Sequence, residues 1–179
     1  MRRLVVTCAL LLAVAAPLSA AAARRAPVGG TLVVRGADNG EGTLPGARPV
    51  ATLVIDGFVI GRISGLGRIE IYDLGADTAE APEVSGALWH RDKTLKVRDL
   101  QLNGTAWGGT GLRFRAVNGA FRVVIWGSGV YLFASGRGMV TLTGQAEAPL
   151  ADGQYSLNGG DFHSIPVELT RQIAAQPVG

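Results

Sequence analysis

Residues 112–144 read LRFRAVNGAFRVVIWGSGVYLFASGRGMVTLTG, and the meaning of the glycines here decides the fold. Glycine-rich loops can cradle phosphate, but a phosphate loop ends in Gly-Lys-Ser/Thr and opens a helix, and no such ending occurs. A dinucleotide fingerprint needs a βαβ unit, and none is visible. The alternative is that glycine punctuates strands. Asn-Gly, Asp-Gly and Gly-X pairs suit two-residue hairpin turns, whose central residues take positive φ. A turn at Asn118-Gly119 sets Ala116 opposite Phe121, Phe114 opposite Val123 and Leu112 opposite Ile125. A second at Gly127-Ser128 sets Ile125 against Val130, Val123 against Leu132 and Phe121 against Ala134. A three-residue loop at Gly136-Arg137-Gly138 sets Ala134 against Val140 and Leu132 against Leu142. Side chains alternate along a strand, so all of these share one face, and a one-residue slip would break the pattern.

The same grammar appears earlier. Residues 50–71, VATLVIDGFVIGRISGLGRIEI, align without gaps to 121–142. The inward set expected there is Val50, Thr52, Val54, Val59, Ile63, Ile69 and Ile71, with Arg62 facing Glu70 across the ribbon. Shared hairpin grammar and internal duplication explain this equally well. Helical periodicity is nearly absent after residue 23, so the chain reads as all-β. Two meanders with apolar faces imply an antiparallel β-sandwich or flattened barrel. A parallel β-solenoid is the alternative, although no fixed repeat of 20–30 residues runs through the chain. Further strands are expected at Thr31–Arg35, Thr94–Leu102 (with a bulge near Asp99) and Gln154–Leu157, and an acidic exposed loop at Gly75–Ala87.

The first 23 residues read as a secretory signal. Arg2 and Arg3 precede an apolar run from Leu4 to Leu18, followed by small residues suited to cleavage. An uncleaved anchor is the alternative, but the run is short for a membrane span. Residues 24–30 are then a flexible lead-in, 31–170 a single all-β domain, and 171–179 a frayed tail. A transmembrane barrel fits the length but not the sparse aromatics, which form no girdles. Cys8 is the only cysteine and lies in the signal, so the mature domain depends on its core, without disulfide or thiol chemistry. The formal charge is +3, and subtracting Arg2 and Arg3 leaves +1 for residues 24–179. That balance argues against a nucleic-acid partner, and no nucleic-acid motif is present.

The face opposite the apolar one carries the candidate binding residues Arg113, Arg115, Arg122, Trp126, Tyr131 and Phe133. In the hairpin register Arg115 opposes Arg122, a like-charge pair that calls for something negative nearby. Either acidic residues such as Asp77, Glu80 or Glu83 cover this face, or it is open to a ligand. Aromatics would then stack a sugar or base while arginines hold phosphate or carboxylate. His90 and His163, with Asp92 and Asp161, could form an acid/base or metal site only if their two loops met in space. His90-Arg91-Asp92 stands without the other kinase elements, and no nucleophile elbow or zinc-protease helix is present. Asn103-Gly104-Thr105 fits a glycosylation sequon, but a turn explains its Asn-Gly better. No catalytic residue, metal ligand or cofactor is assigned.

The arrangement GGTLVVRG … RFRAVNGAFRVVIWGSGVYLFASGRGMVTLTG … GQYSLNGG after a signal segment resembles short Gly-rich secreted proteins of unknown function from high-GC actinobacteria. The resemblance implies export and an all-β fold, and implies no substrate, cofactor or catalytic residue. The expected function is a non-catalytic binding or structural module of the cell envelope, contacting an envelope polymer or protein. A secreted hydrolase with a site near His90 and His163 is the alternative.

Overall fold

A computed structural model describes residues 29–38, 46–75, 80–96, 103–144 and 153–174. Eight strands account for nearly all of them. In chain order these are β1 (Gly30–Ala37), β2 (Ala51–Asp73), β3 (Glu83–Lys96), β4 (Asn103–Gly127), β5 (Val130–Leu142), β6 (Gln154–Leu157), β7 (His163–Ser164) and β8 (Leu169–Ile173). They form one sheet in the order β3-β4-β2-β5-β1-β6-β7, with β8 also paired to β5. Each ladder is antiparallel and the sheet is not closed, which gives the expected all-β sandwich or flattened barrel and excludes the parallel solenoid.

The hairpins expected in 112–144 do not form. β4 and β5 run straight through Asn118-Gly119 and Gly136-Arg137-Gly138, and each pairs with β2 instead. Ala116 lies beside Val59 rather than Phe121, and Leu132 beside Gly61 rather than Leu142. The apolar set is nonetheless right: Leu112, Phe114, Ala116, Phe121, Val123, Ile125, Val130, Leu132, Ala134, Val140 and Leu142 are all buried in one core. The reason is parity. At Asn118 a bulge places three residue steps of β4 (Gly119 to Ala116) against two of β2 (Gly57 to Val59). Asn118 sits at φ 57°, and the extra residue switches the inward side as a two-residue turn would. No such switch occurs at Asp56-Gly57. β2 keeps one parity, so Ala51, Leu53 and Ile55 are buried while Val54 is 44% exposed. This corrects the expectation for Thr52 and Val54; Val50, Val59, Ile63, Ile69 and Ile71 are buried as expected.

Instead of reversing, the strands bend. Gly30, Gly136, Gly57 and Gly119 line up across β1, β5, β2 and β4. At this row the backbones come so close that a Cβ on Gly57 would collide with the Ser135 carbonyl oxygen, and one on Gly136 with that of Asp56. The row divides the sheet into two lobes. Lobe I holds 58–63 of β2 between 112–116 of β4 and 130–135 of β5, flanked by β1 and by the start of β3. Lobe II holds 51–56 of β2 between 120–125 of β4 and 137–142 of β5, with β8 beyond. The β2–β4–β3 ribbon turns again near Gly67 and Gly111. Residues 67–73 of β2 thereby pair with 121–127 of β4 on one side and 104–109 on the other. Side chains of both lobes join one core, centred on Phe121, Leu53, Ile55, Ile63, Ile69, Leu112 and Ile125.

Other boundaries shift modestly. β1 begins at Gly30, inside the expected lead-in. β3 begins at Glu83, which shortens the acidic loop. β8 reaches Ile173, which is fully buried, so the core extends past the expected end at residue 170 into the expected tail. β6 spans Gln154–Leu157 as expected. Asn158-Gly159 is a tight turn with φ of 54° and 72°, whereas Asn103-Gly104 lies in the β3–β4 ladder rather than in a turn. The signal segment 1–23, Asp77 and the bulge near Asp99 lie outside the described residues. No helix among the described residues is long and apolar enough to cross a membrane. The sheet turns its apolar side chains inward, the reverse of a membrane barrel.

Candidate functional site

The outward side chains of lobe I form two rows across the strands. In the first, Val33 of β1 lies beside Phe133 of β5, then Ile60 of β2, Arg115 of β4 and Glu83 of β3. In the second, Tyr131 of β5 lies beside Arg62 of β2, then Arg113 of β4 and Ser85 of β3. Arg35 of β1 lines the same groove, which is open to solvent and has a volume of about 500 Å³. That volume falls within the range of small-molecule sites, ~300–1,000 Å³. The floor is the sheet itself. Beneath it, on the core side, the Phe114 ring occupies the space a Cβ on Gly61 would need.

The groove is cationic at its centre. Arg62 and Arg113 oppose each other directly across β2 and β4, and among the described residues neither meets a carboxylate. Arg62 lies over the Tyr131 ring at 4.4 Å, and Arg35 over the Phe162 ring at 3.9 Å. These contacts orient the guanidinium groups without neutralising them. Arg115 is different: Glu80 binds it at 2.8 Å and Glu83 lies 3.9 Å away. Of the acidic residues before β3 that are described, Glu80 and Glu83 engage Arg115 and neither reaches the central pair. Exposed pairs of this kind contribute little to stability, so the contact can open at small cost.

The six residues expected to share a face are divided between two. Arg113, Arg115, Tyr131 and Phe133 are on the lobe I groove. Arg122 and Trp126 are on the outside of lobe II, because the strand bends between Arg115 and Arg122. Arg115 therefore opposes Ile60 and Glu83, and Arg122 lies between Val54 and Tyr72. Arg62, expected opposite Glu70, sits in the groove; Glu70 instead pairs with Arg68 at 2.6 Å and accepts the Tyr72 hydroxyl at 2.7 Å. Burial first, and then this carboxylate, push the Tyr72 phenol up to about 12. Trp126 donates its indole N–H to the Ala47 carbonyl at 3.0 Å, which ties it into the lobe II surface.

Val33, Arg35, Ile60 and Arg62 were not expected at the site. Alternation alone puts Ile60 and Arg62 on an outward face, but only the insertion of β2 between β4 and β5 brings them to Arg113 and Tyr131. The histidines do not converge in the sheet order. His90 is on β3 and His163 on β7, the strands at its opposite ends, and the His163 ring packs on Tyr155 at 5.8 Å. Among the described residues no cluster of three His, Cys, Asp or Glu side chains could hold a metal ion. No family model, curated protein or solved structure matches the chain.

Proposed function

We propose that the protein is an exported, non-catalytic binding module of the cell envelope that holds an anionic ligand in the lobe I groove. The observation that carries this reading is the Arg62–Arg113 pair. Two like charges directly opposed on neighbouring strands are unfavourable on their own. Held at the centre of an open groove, they suit a phosphate or carboxylate, which guanidinium forks bind by charge-assisted hydrogen bonds. The cell-envelope assignment rests on the signal-like residues 1–23 and on the resemblance to secreted Gly-rich proteins.

The test is co-sedimentation with an insoluble cell-wall fraction at fixed ionic strength. Arg62→Glu/Arg113→Glu is compared with Arg122→Glu/Arg171→Glu, which changes net charge equally but lies outside the groove. Loss of retention only in the groove variant is expected. Equal retention of wild type and groove variant, or equal loss in both variants, would end the proposal.

A further inference from the structure

Resting on that reading, we infer that the ligand is an amphiphilic anion, with its charged head between Arg62 and Arg113 and its apolar part along Ile60, Phe133 and Val33. The two outward rows differ in kind. Successive outward side chains on a strand are ~7 Å apart, so the apolar row lies about one small head-group width from the cationic row. Ile60 is 42% exposed although it is flanked by Phe133, and nothing among the described residues covers it. An apolar strip beside two cations that meet no carboxylate among the described residues matches a molecule with the same division.

The aromatic geometry separates this ligand from a sugar. Stacking a pyranose needs a free ring face. The Tyr131 face is taken by Arg62 at 4.4 Å, and Phe133 packs against Phe58 with centroids 5.5 Å apart and planes tilted by 53°. What remains accessible is aliphatic surface and ring edge, which suits a hydrocarbon chain. At the β3 end of the groove Glu83 and Glu80 repel anions, so the head group is confined to the central pair and the chain runs toward β1.

Calorimetric titration with octyl phosphate, inorganic phosphate and octanol tests this. Octyl phosphate should bind at one site at least about tenfold more tightly than either of the others, since several buried methylenes contribute beyond the head group. Ile60→Gln should weaken octyl phosphate about fivefold while leaving inorganic phosphate unchanged. Arg62→Glu/Arg113→Glu should abolish binding of both anions. Unfolding midpoints confirm that each variant is folded, and Ile60→Ser serves if Ile60→Gln is not. If inorganic phosphate binds as tightly as octyl phosphate, or the Ile60 variant binds octyl phosphate unchanged, the amphiphile is ruled out and the anion groove stands. If octanol matches octyl phosphate, if neither anion binds, or if the arginine variant binds normally, both readings fall.

Discussion

Tyr72 shows how one side chain on lobe II is set by its neighbours. Its ring is buried beside Gly104, where a Cβ would strike it, and its hydroxyl donates to Glu70. Burial and the adjacent carboxylate both disfavour the phenolate, so the group ionises near 12 in the folded protein, against 10.0 ordinarily. Between these values the unfolded chain has lost a proton that the folded chain retains. Stability should therefore be constant in this respect below pH 10 and fall as pH rises toward 12. Chemical denaturation across that window should show the decline, and Glu70→Gln should shift ultraviolet titration of the phenol toward lower pH. A titration of Glu70→Gln superimposable on wild type would show that Glu70 does not hold the proton in place. Nothing about Tyr72 was legible beforehand, because Glu70 was expected opposite Arg62.

At the scale of the strand, glycine proves to bend chains where it was expected to reverse them. Gly57 has φ +151° and touches the β5 backbone on the side where a Cβ would point. Gly57→Ala should therefore cost about 1–3 kcal/mol in urea denaturation, through strain and displacement of β5. An unchanged midpoint would mean that the bend does not depend on this contact. Both turning and bending need glycine at the same spacing, and local sequence does not distinguish them. A hairpin satisfies its backbone hydrogen bonds with its own neighbour; here β2 supplies them to β4 and β5 at once. The expectation of adjacent hairpins failed because β2, a partner far earlier in the chain, outcompeted the local one for both β4 and β5. The buried set of 112–144 survived because the bulge at Asn118 changes parity as a turn does.

At the scale of the whole molecule, both lobes share one apolar core among the described residues, and residues 29–179 hold no cysteine for a disulfide. β8 closes one edge of that core against β5, and Ile173 is completely buried there. Ile173→Ala should cost about 2–5 kcal/mol, and a chain ending at residue 168 should unfold at lower temperature, in one transition. A truncated chain with wild-type melting would show that β8 contributes nothing to the fold. Strand content, the inward residues of 112–144 and the presence of an outward arginine–aromatic set were legible in the sequence, since alternation and turn chemistry are properties of the local chain. The order of the strands was not, nor was the division of Arg113 and Arg115 from Arg122. The sequence by itself determined which residues of 112–144 face inward, because alternation is local; it did not do so for Thr52 and Val54 of β2. Only the tertiary structure decided which strands are neighbours, and hence that Arg62 stands against Arg113, because backbone hydrogen bonds are the same for every residue and the pairing is chosen by how the entire core packs.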